Sequence, residues 1–317
     1  MMHTKKVNVL LPVYNGEKYL REQLDCLLNQ TYNNLDIYVR DDGSSDATMC
    51  IIDEYAQKDP ENFRFHIIPN NGVNLGYPDC FWELMKVAEP ADYYSFCDQD
   101  DYWYSDKIES AIKLIESAED KLGENIPIMS FCNFDYCDEN MNFVRKNDTY
   151  SNIQELKFYN GMYYTYAPGF TQVINRAMVE NVQLNQLFGH KLAHDLWCQW
   201  IASAYGKVLY DPEIRAHYRR HGSAVTAANI SKIKSLKLWW EKEIKGNQIV
   251  EWKNSLSYFN DLFNNKINKE TRRELELFAT KSKSPNIKLK KLFFNHKLRP
   301  SIGGDLALRV LILKGKC

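Results

Sequence analysis

The segment VNVLLPVYNGEKYLREQLDCLLN, Val7 to Asn29, decides how the chain is built. Val7 to Pro12 is a continuous apolar run, the signature of a strand buried on both faces. After the turn Val13 to Gly16, Glu17 to Asn29 places Leu20, Leu24, Leu27 and Leu28 at helical spacing. The pattern then repeats. Asp36 to Val39 reads as a second strand and runs into Asp41-Asp42-Gly43-Ser44-Ser45-Asp46, where Ser45 or Asp46 can cap a helix through Tyr55. Phe63 to Ile68 is a third strand, Asp79 to Val87 a helix with Pro78 at its first position, and Tyr93 to Cys97 a fourth strand. Strands alternating with helices in this way predict an α/β fold, an open parallel sheet wrapped by helices. Such sheets bind ligands at the carboxyl ends of their strands. The polar clusters Tyr14-Asn15, Asp41-Asp42 and Asp98 to Asp101 fall there.

The last cluster poses a charge problem. In YYSFCDQDDYWYSDKIE, Tyr93 to Glu109, a buried strand ends in Asp98, Asp100 and Asp101. Like charges this close raise one another's pKa and repel unless a cation or donor-rich ligand meets them. Hard oxygen ligands select Mg²⁺ or Mn²⁺, and a metal with open positions binds a diphosphate. The structural alternative is a helix N-cap with favourable macrodipole charge near Lys107, although capping needs one Asp rather than three.

Composition frames this reading. The 317 residues, 44% hydrophobic and 26% charged, suit one large domain or one domain with an appendage. No apolar run approaches the roughly 20 residues of a membrane span. MMHTKKVNVLLPVYN has no signal-peptide hydrophobic region before folded sequence begins, so a cytoplasmic location is expected. The eight cysteines form no CxxC pair and mostly lie in apolar segments, as reduced core thiols do. The near-neutral net charge conceals an asymmetry: residues 281–317 hold ten Lys or Arg against one acid, Asp305.

LPVYNGEKYL (Leu11 to Leu20), RDDGSSDAT (Arg40 to Thr48) and FCDQDDYW (Phe96 to Trp103) together resemble the family 2 inverting glycosyltransferases of bacterial surface-polysaccharide type. The resemblance covers roughly the first 220 residues and implies the GT-A fold, a Rossmann-like nucleotide-binding open sheet flanked by helices. It implies that Pro12, Tyr14 and Asn15 line the nucleotide pocket, that one of Asp41 and Asp42 hydrogen-bonds the base, and that Asp98-Gln99-Asp100 is the DxD element. Asp98 is then expected near the ribose and diphosphate, and Asp100 on the Mn²⁺ or Mg²⁺. These residue types suit the chemistry: a pyrimidine imide N–H needs a carboxylate acceptor, which favours a UDP-sugar donor, and a leaving nucleoside diphosphate needs its charge neutralised.

In GHKLAHDLWCQWIASAYG, Gly189 to Gly206, the resemblance makes Asp195 the general base, with His194 where relatives carry an acid. An aspartate at a helix start is also an ordinary N-cap. YRRHGSAVT, Tyr218 to Thr226, resembles the motif that closes over the diphosphate; His221 would be a metal ligand or phosphate donor, with Arg219 or Arg220 adding charge. Their rival reading puts His217 and His221 face to face on a surface helix or turn. Zinc at His190, His194, His217 and His221 is disfavoured, because no Cys lies at close spacing. One departure concerns the base: Tyr77-Pro78-Asp79 stands where relatives often carry a cation.

Phe158, Tyr159, Tyr163, Tyr164 and Tyr166 precede the base and could stack an acceptor sugar, with core packing as the plainer role. From Asn229 the pattern becomes helical, with Ile233, Leu236, Trp240 and Ile244 on one face. The cationic, apolar end of the chain suits a helix lying on an anionic bilayer, or a helical cap with solvated lysines. The expected division is a glycosyltransferase domain over 1–228, its nucleotide-sugar half 1–120 and acceptor half 121–228, followed by a helical, lysine-rich C-terminal extension over 229–317. The expected activity is metal-dependent transfer to a glycan or lipid-linked oligosaccharide in surface-polysaccharide synthesis. The alternatives are a catalytically silent sugar-nucleotide-binding or scaffold subunit, and, weakly, a phosphatase of the aspartyl-phosphate kind; no nucleic-acid partner is expected.

Overall fold

Every residue of β1 (Val7–Val13) except the half-buried Pro12 is excluded from solvent, including the polar Asn8, whose side-chain amide donates to the Glu89 carbonyl at 2.6 Å. The computed structural model describes residues 5–58, 64–147, 156–190, 192–221, 248–280 and 284–316. After β1 the chain turns through Gly16, whose carbonyl accepts the N–H groups of Tyr19 and Leu20 at 3.0 Å, and enters α1 (Leu20–Leu28). The helix starts later than its leucine spacing suggests, because this turn uses the residues before Leu20. It buries Leu20, Leu24 and Leu27 and leaves Leu28 half-buried.

The alternation continues through β2 (Leu35–Asp41), α2 (Thr48–Gln57), β3 (Phe65–Ile68), α3 (Asp79–Val87) and β4 (Tyr93–Phe96). Strands β3, β2, β1 and β4 are parallel neighbours. Beyond them the sheet becomes mixed. A short β5 (Tyr102–Trp103) and α4 (Lys107–Leu122) lead to β6 (Ile128–Cys137), its antiparallel partner β7 (Phe143–Lys146), β8 (Gln172–Asn175) and β9 (Lys207–Arg219). The sheet runs β3-β2-β1-β4-β8-β6-β9-β5, with β8 antiparallel to both β4 and β6 and with β9 parallel to β6. Strand β9 therefore points the same way as β1, β2 and β4, so Val13, Asp41, Phe96 and Arg219 end at one edge.

Val7, Val9, Leu11, Ile37 and Val39 from the strands pack with Leu24 and Leu27 of α1, Ile51 and Ile52 of α2, and Ile108, Ile112 and Ile115 of α4. Each such side chain contributes about 1.5–3 kcal/mol on burial. The cap of α4 settles one alternative: it is Asp106, so Asp98, Asp100 and Asp101 do not cap that helix. Pro78 is the residue preceding α3 rather than its first residue. His217 lies in β9, not on a helix.

The chain forms two compact units. The first comprises residues up to 151 together with 167–202 and 206–221; the second comprises 152–166, 203–205 and 222–317. In the first, α6 (Arg176–Asn181) follows β8 and α7 starts at His194, running to Tyr205. The second contains α5 (Phe158–Gly161), α8 (Gln248–Phe263), α9 (Lys269–Ala279), α10 (Pro285–Leu292) and α11 (Ile302–Leu313). Its core corrects the stacking role suggested for three of the five aromatics, Phe158, Tyr163 and Tyr166; Tyr159 and Tyr164 are half-buried. Phe158 stacks on Phe259, Tyr163 on Trp252, and Phe158, Tyr163 and Tyr166 are all buried. They hold the helices together and are closed to a sugar. The amphipathic stretch with Ile233, Leu236, Trp240 and Ile244 lies outside the described residues. Among the described residues no helix is long and apolar enough to cross a membrane.

Candidate active site

Side-chain bonds lace together the loops that leave β1, β2 and β4. In the β1–α1 loop, Asn15 adopts φ 47°, a left-handed conformation that Asn tolerates. Its N–H donates to Ser44 Oγ at 2.8 Å and its Oδ1 accepts the Ser45 N–H at 2.9 Å. The Gly16 N–H donates to Thr48 Oγ1 at 2.8 Å, and the Glu17 N–H to Asp46 Oδ2 at 3.1 Å. Asp46 also accepts the Thr48 N–H at 3.0 Å from one residue before the cap; the N-cap of α2 is Ala47, not the expected Ser45 or Asp46. Tyr14 stays 51% exposed at the rim, whereas Pro12 sits within β1 opposite Arg40.

Asp41 and Asp42 are both buried at the end of β2. Asp41 accepts the N–H groups of Gly43 at 3.2 Å and Ser44 at 3.0 Å, together with the Ser44 hydroxyl. Asp42 pairs with the Arg40 guanidinium and accepts the N–H groups of Leu75 at 2.9 Å and Gly76 at 2.6 Å. Asp41 is thus held by its own loop, and Asp42 by Arg40 of β2 and by the backbone of the β3–α3 loop. Among the described residues Asp42 Oδ2 accepts the Gly76 bond alone and is the least used of the four oxygens.

After β4 the acids crowd together. Burial, with Asp100 and Asp195 nearby, pushes the Asp98 carboxyl up to about 8. Burial and the charges of Asp100 and Asp98 also raise Asp101 far above the carboxylate range, despite the bond its Oδ1 accepts from the Arg219 N–H at 3.1 Å. Asp101 Oδ2 has no hydrogen-bond partner among the described residues. Arg219, expected as a donor to the diphosphate, is turned inward. Its Nε donates to the Asp100 carbonyl at 2.8 Å, its Nη1 to the Glu139 carbonyl at 2.7 Å, and its Nη2 pairs with Glu22. These bonds tie the acidic loop to the end of β9. Just beyond it, His221 Nε2 comes within 2.7 Å of Asp100 Oδ2, and its ring lies 4.7 Å from that of Tyr19.

Asp195 occupies the first turn of α7, whose N-cap is Ala193, so it is not an N-cap. Its Oδ1 accepts the Leu196 N–H at 2.7 Å, and burial pushes it up to about 6 against the opposing bonds from the Leu196 and Gly169 backbone. His194 beside it is buried among Phe81, Phe96 and Tyr77 with no partner for either ring nitrogen among the described residues, and burial lowers it to about 3. A Cβ on Gly169 would fall 2.3 Å from His194 Nε2, so any side chain there would have to displace the imidazole. No local pattern marks Glu22 or Gly169, because both act on residues distant in the chain.

This donor set suits a divalent cation. Burial and neighbouring carboxylates hold Asp98 and Asp101 toward their neutral forms, a divalent cation beside Asp100 would favour the ionised ones, and a carboxylate with an imidazole matches Mn²⁺ or Mg²⁺ better than a soft metal. Among the described residues there is no group of three or more His, Cys, Asp or Glu poised to hold a metal. Asp100 and His221 could hold one only together with oxygens from a ligand or water.

Residues 8–180 match the sequence profile of Glycosyl transferase family 2. The chain belongs to that family. Its members' motifs, read above from residues alone, lie within the matched span up to Asp101; Asp195, Arg219 and His221 lie beyond it. A dTDP-rhamnosyl transferase of Shigella flexneri, RfbG, is 27% identical over 250 residues, 74% of this chain and 82% of that protein. An uncharacterized glycosyltransferase of Rickettsia typhi is 24% identical over 80% of this chain and 77% of its own length. The fold is that of the GT-A glycosyltransferases. TarS of S. aureus, residues 1–349 with UDP-GlcNAc, matches with TM-score 0.56 and 17% identity over 98% of this chain and 92% of that one. The mannosyltransferase PcManGT of Pyrobaculum calidifontis, with GDP-Man and Mn²⁺, matches with TM-score 0.57 and 14% identity over 97% of this chain and 76% of that one. The chain is a glycosyltransferase. The donors named for these proteins differ in base and sugar, so likeness alone does not choose among them.

Proposed function

We propose that this family 2 enzyme moves a sugar from a nucleoside-diphosphate donor, UDP favoured, to a hydroxyl of a glycan or lipid-linked acceptor with inversion at the anomeric carbon. The observation that carries this reading is the meeting of Asp98, Asp100, Asp195 and His221 at the carboxyl edge of the sheet, where the acids lack enough fixed positive charge. Asp195, ionised above about pH 6, takes the proton of the acceptor hydroxyl. The acceptor oxygen bonds to the anomeric carbon as the bond to the phosphate oxygen breaks on the opposite face, and that electron pair leaves on the diphosphate. A divalent cation held by Asp100 and His221 would neutralise the charge developing there. Tyr14 and Asn15 line the nucleotide, and Asp42 is the better-placed base acceptor because Oδ2 retains capacity. Arg219 contributes by holding the Asp100 backbone.

The acceptor pathway, synthesis of a capsule, O-antigen or exopolysaccharide at the inner membrane face, draws support from the naming of RfbG as a rhamnosyl transferase and from α11. That helix buries Leu308, Leu311 and Ile312 but exposes Ile302, Leu306, Val310 and Leu313 beside a lysine-rich segment. Such a face fits anionic lipid. We place catalysis within residues 1–228.

Thermal unfolding with UDP, GDP, dTDP and CDP, each with and without Mn²⁺, tests the donor reading. A ligand at 100 times its Kd stabilises by about 2.7 kcal/mol. A shift needing both one nucleotide and the metal supports the donor site; no shift with any pair refutes it.

A further inference from the structure

One side chain joins the loop of the paired aspartates to the loop that carries Tyr14. Gln99, between Asp98 and Asp100, lays its amide against a single backbone residue. The Tyr14 N–H donates to Gln99 Oε1 at 2.9 Å, and Gln99 Nε2 donates to the Tyr14 carbonyl at 3.0 Å. Two bonds to one residue fix rotation as well as distance, much as a bridge between strands does. The opposite amide orientation would set donor against donor and acceptor against acceptor, so this one is required. Gly16 completes the fit: a Cβ there would lie 2.4 Å from Gln99 Oε1, and the amide would have to leave.

We propose that Gln99 is a positioning residue that couples cation binding at Asp100 to nucleotide binding at the Tyr14 loop. The inference rests on the donor-site reading above. A cation that fixes Asp100 also fixes the neighbouring peptide that carries Gln99, and the amide transmits that order to Tyr14. Tyr14 depends on it because its own side chain is half-exposed, whereas the next residues, Asn15 to Glu17, are tied to the β2–α2 loop. Coupling of this kind is reciprocal: the nucleotide must raise affinity for the cation by the same factor.

The test is calorimetric titration of the full chain with UDP, or whichever of GDP, dTDP and CDP binds, with and without Mn²⁺. The proteins are wild type, Gln99→Ala, Gln99→Met, Gly16→Ala and the Gly16→Ala/Gln99→Ala pair. Gln99→Met keeps the length of the side chain while removing both bonds. In each single variant the enhancement of nucleotide affinity by Mn²⁺ is expected to fall about tenfold, with a smaller change in affinity without metal. The pair should lose no more than either alanine single, since both remove one contact. Undiminished coupling in Gln99→Ala and Gln99→Met, or additive losses in the pair, would overturn the proposal. Failure of the donor-site reading would appear in the wild type itself, as no metal-dependent binding of any of these nucleotides.

Discussion

Replacing Asp195 by Asn should move activity and stability in opposite directions. The carboxyl sits near 6 in the folded protein against an ordinary value of 3.8, chiefly because of burial. A folded-state pKa raised in this way means that folding prefers the protonated acid. The penalty is absent below about pH 3.8, grows as pH rises, and is complete above about 6. The gap corresponds to at most about 3 kcal/mol at pH 8. Asparagine is neutral throughout and retains an oxygen to accept the Leu196 N–H, so Asp195→Asn should stabilise the protein at pH 8 and much less at pH 5. Turnover should fall by about 10²- to 10⁴-fold, the usual contribution of a general base. Urea unfolding at the two pH values measures the first effect, and release of nucleoside diphosphate from the donor measures the second. The wild-type kcat/KM should decline as pH falls through about 6, and this limb should vanish in the variant. Wild-type turnover in Asp195→Asn would remove the residue from base catalysis; lost turnover with lost stability at pH 8 would make it structural.

His221→Ala should leave folding nearly intact and raise the Mn²⁺ concentration needed for nucleotide binding by roughly tenfold or more, read by metal titration. Arg219→Met removes the bonds to the Asp100 and Glu139 carbonyls and the pair with Glu22; unfolding in urea should show a loss of about 2–4 kcal/mol. Gly169→Ala drives a Cβ into His194, which cannot retreat from Phe81 and Phe96, and should cost about 1–3 kcal/mol by the same assay.

The parallel half of the sheet was legible because each of β1, β2 and β4 is a short apolar run stopped by polar residues, and local pattern determines such strands. The acidic cluster was legible for a related reason: charges at a strand end have few structural explanations. The mixed half was harder to read. Strand β9 lies between β6 and β5, neighbours separated from it by long stretches of chain, so its direction depends on pairing that no local pattern encodes. The fate of Phe158, Tyr163 and Tyr166 was likewise undetermined, since an aromatic that packs a helix and one that stacks a sugar look alike in sequence. Arg219 illustrates the same limit at the site. Its charge pointed to phosphate, but its geometry is set by the Glu22 carboxylate and by carbonyls of Asp100 and Glu139, partners visible only after folding.

These contacts also explain why the crevice can hold mutually repelling acids. The loops that carry them are not members of the strand ladder; they are joined by side chains reaching backbone, Asn15 to Ser45, Gln99 to Tyr14, Asp42 to Leu75 and Gly76, and Arg219 to Asp100. Each bond is worth only about 0.5–1.5 kcal/mol net, and somewhat more where a charge takes part. The apolar core beneath, with many fully buried side chains, sets the stability of the fold, so the sheet tolerates the repulsion above it. Substitutions in the lacing should therefore alter ligand coupling more than unfolding, whereas substitutions in the core should do the reverse. Arg219 is the exception that tests this division. It ties the end of β9 to the acidic loop and is itself buried, so its loss should lower stability and cation affinity together. If Arg219→Met lowered cation affinity with no loss of stability, the guanidinium would be acting on the ligand directly rather than holding the Asp100 backbone.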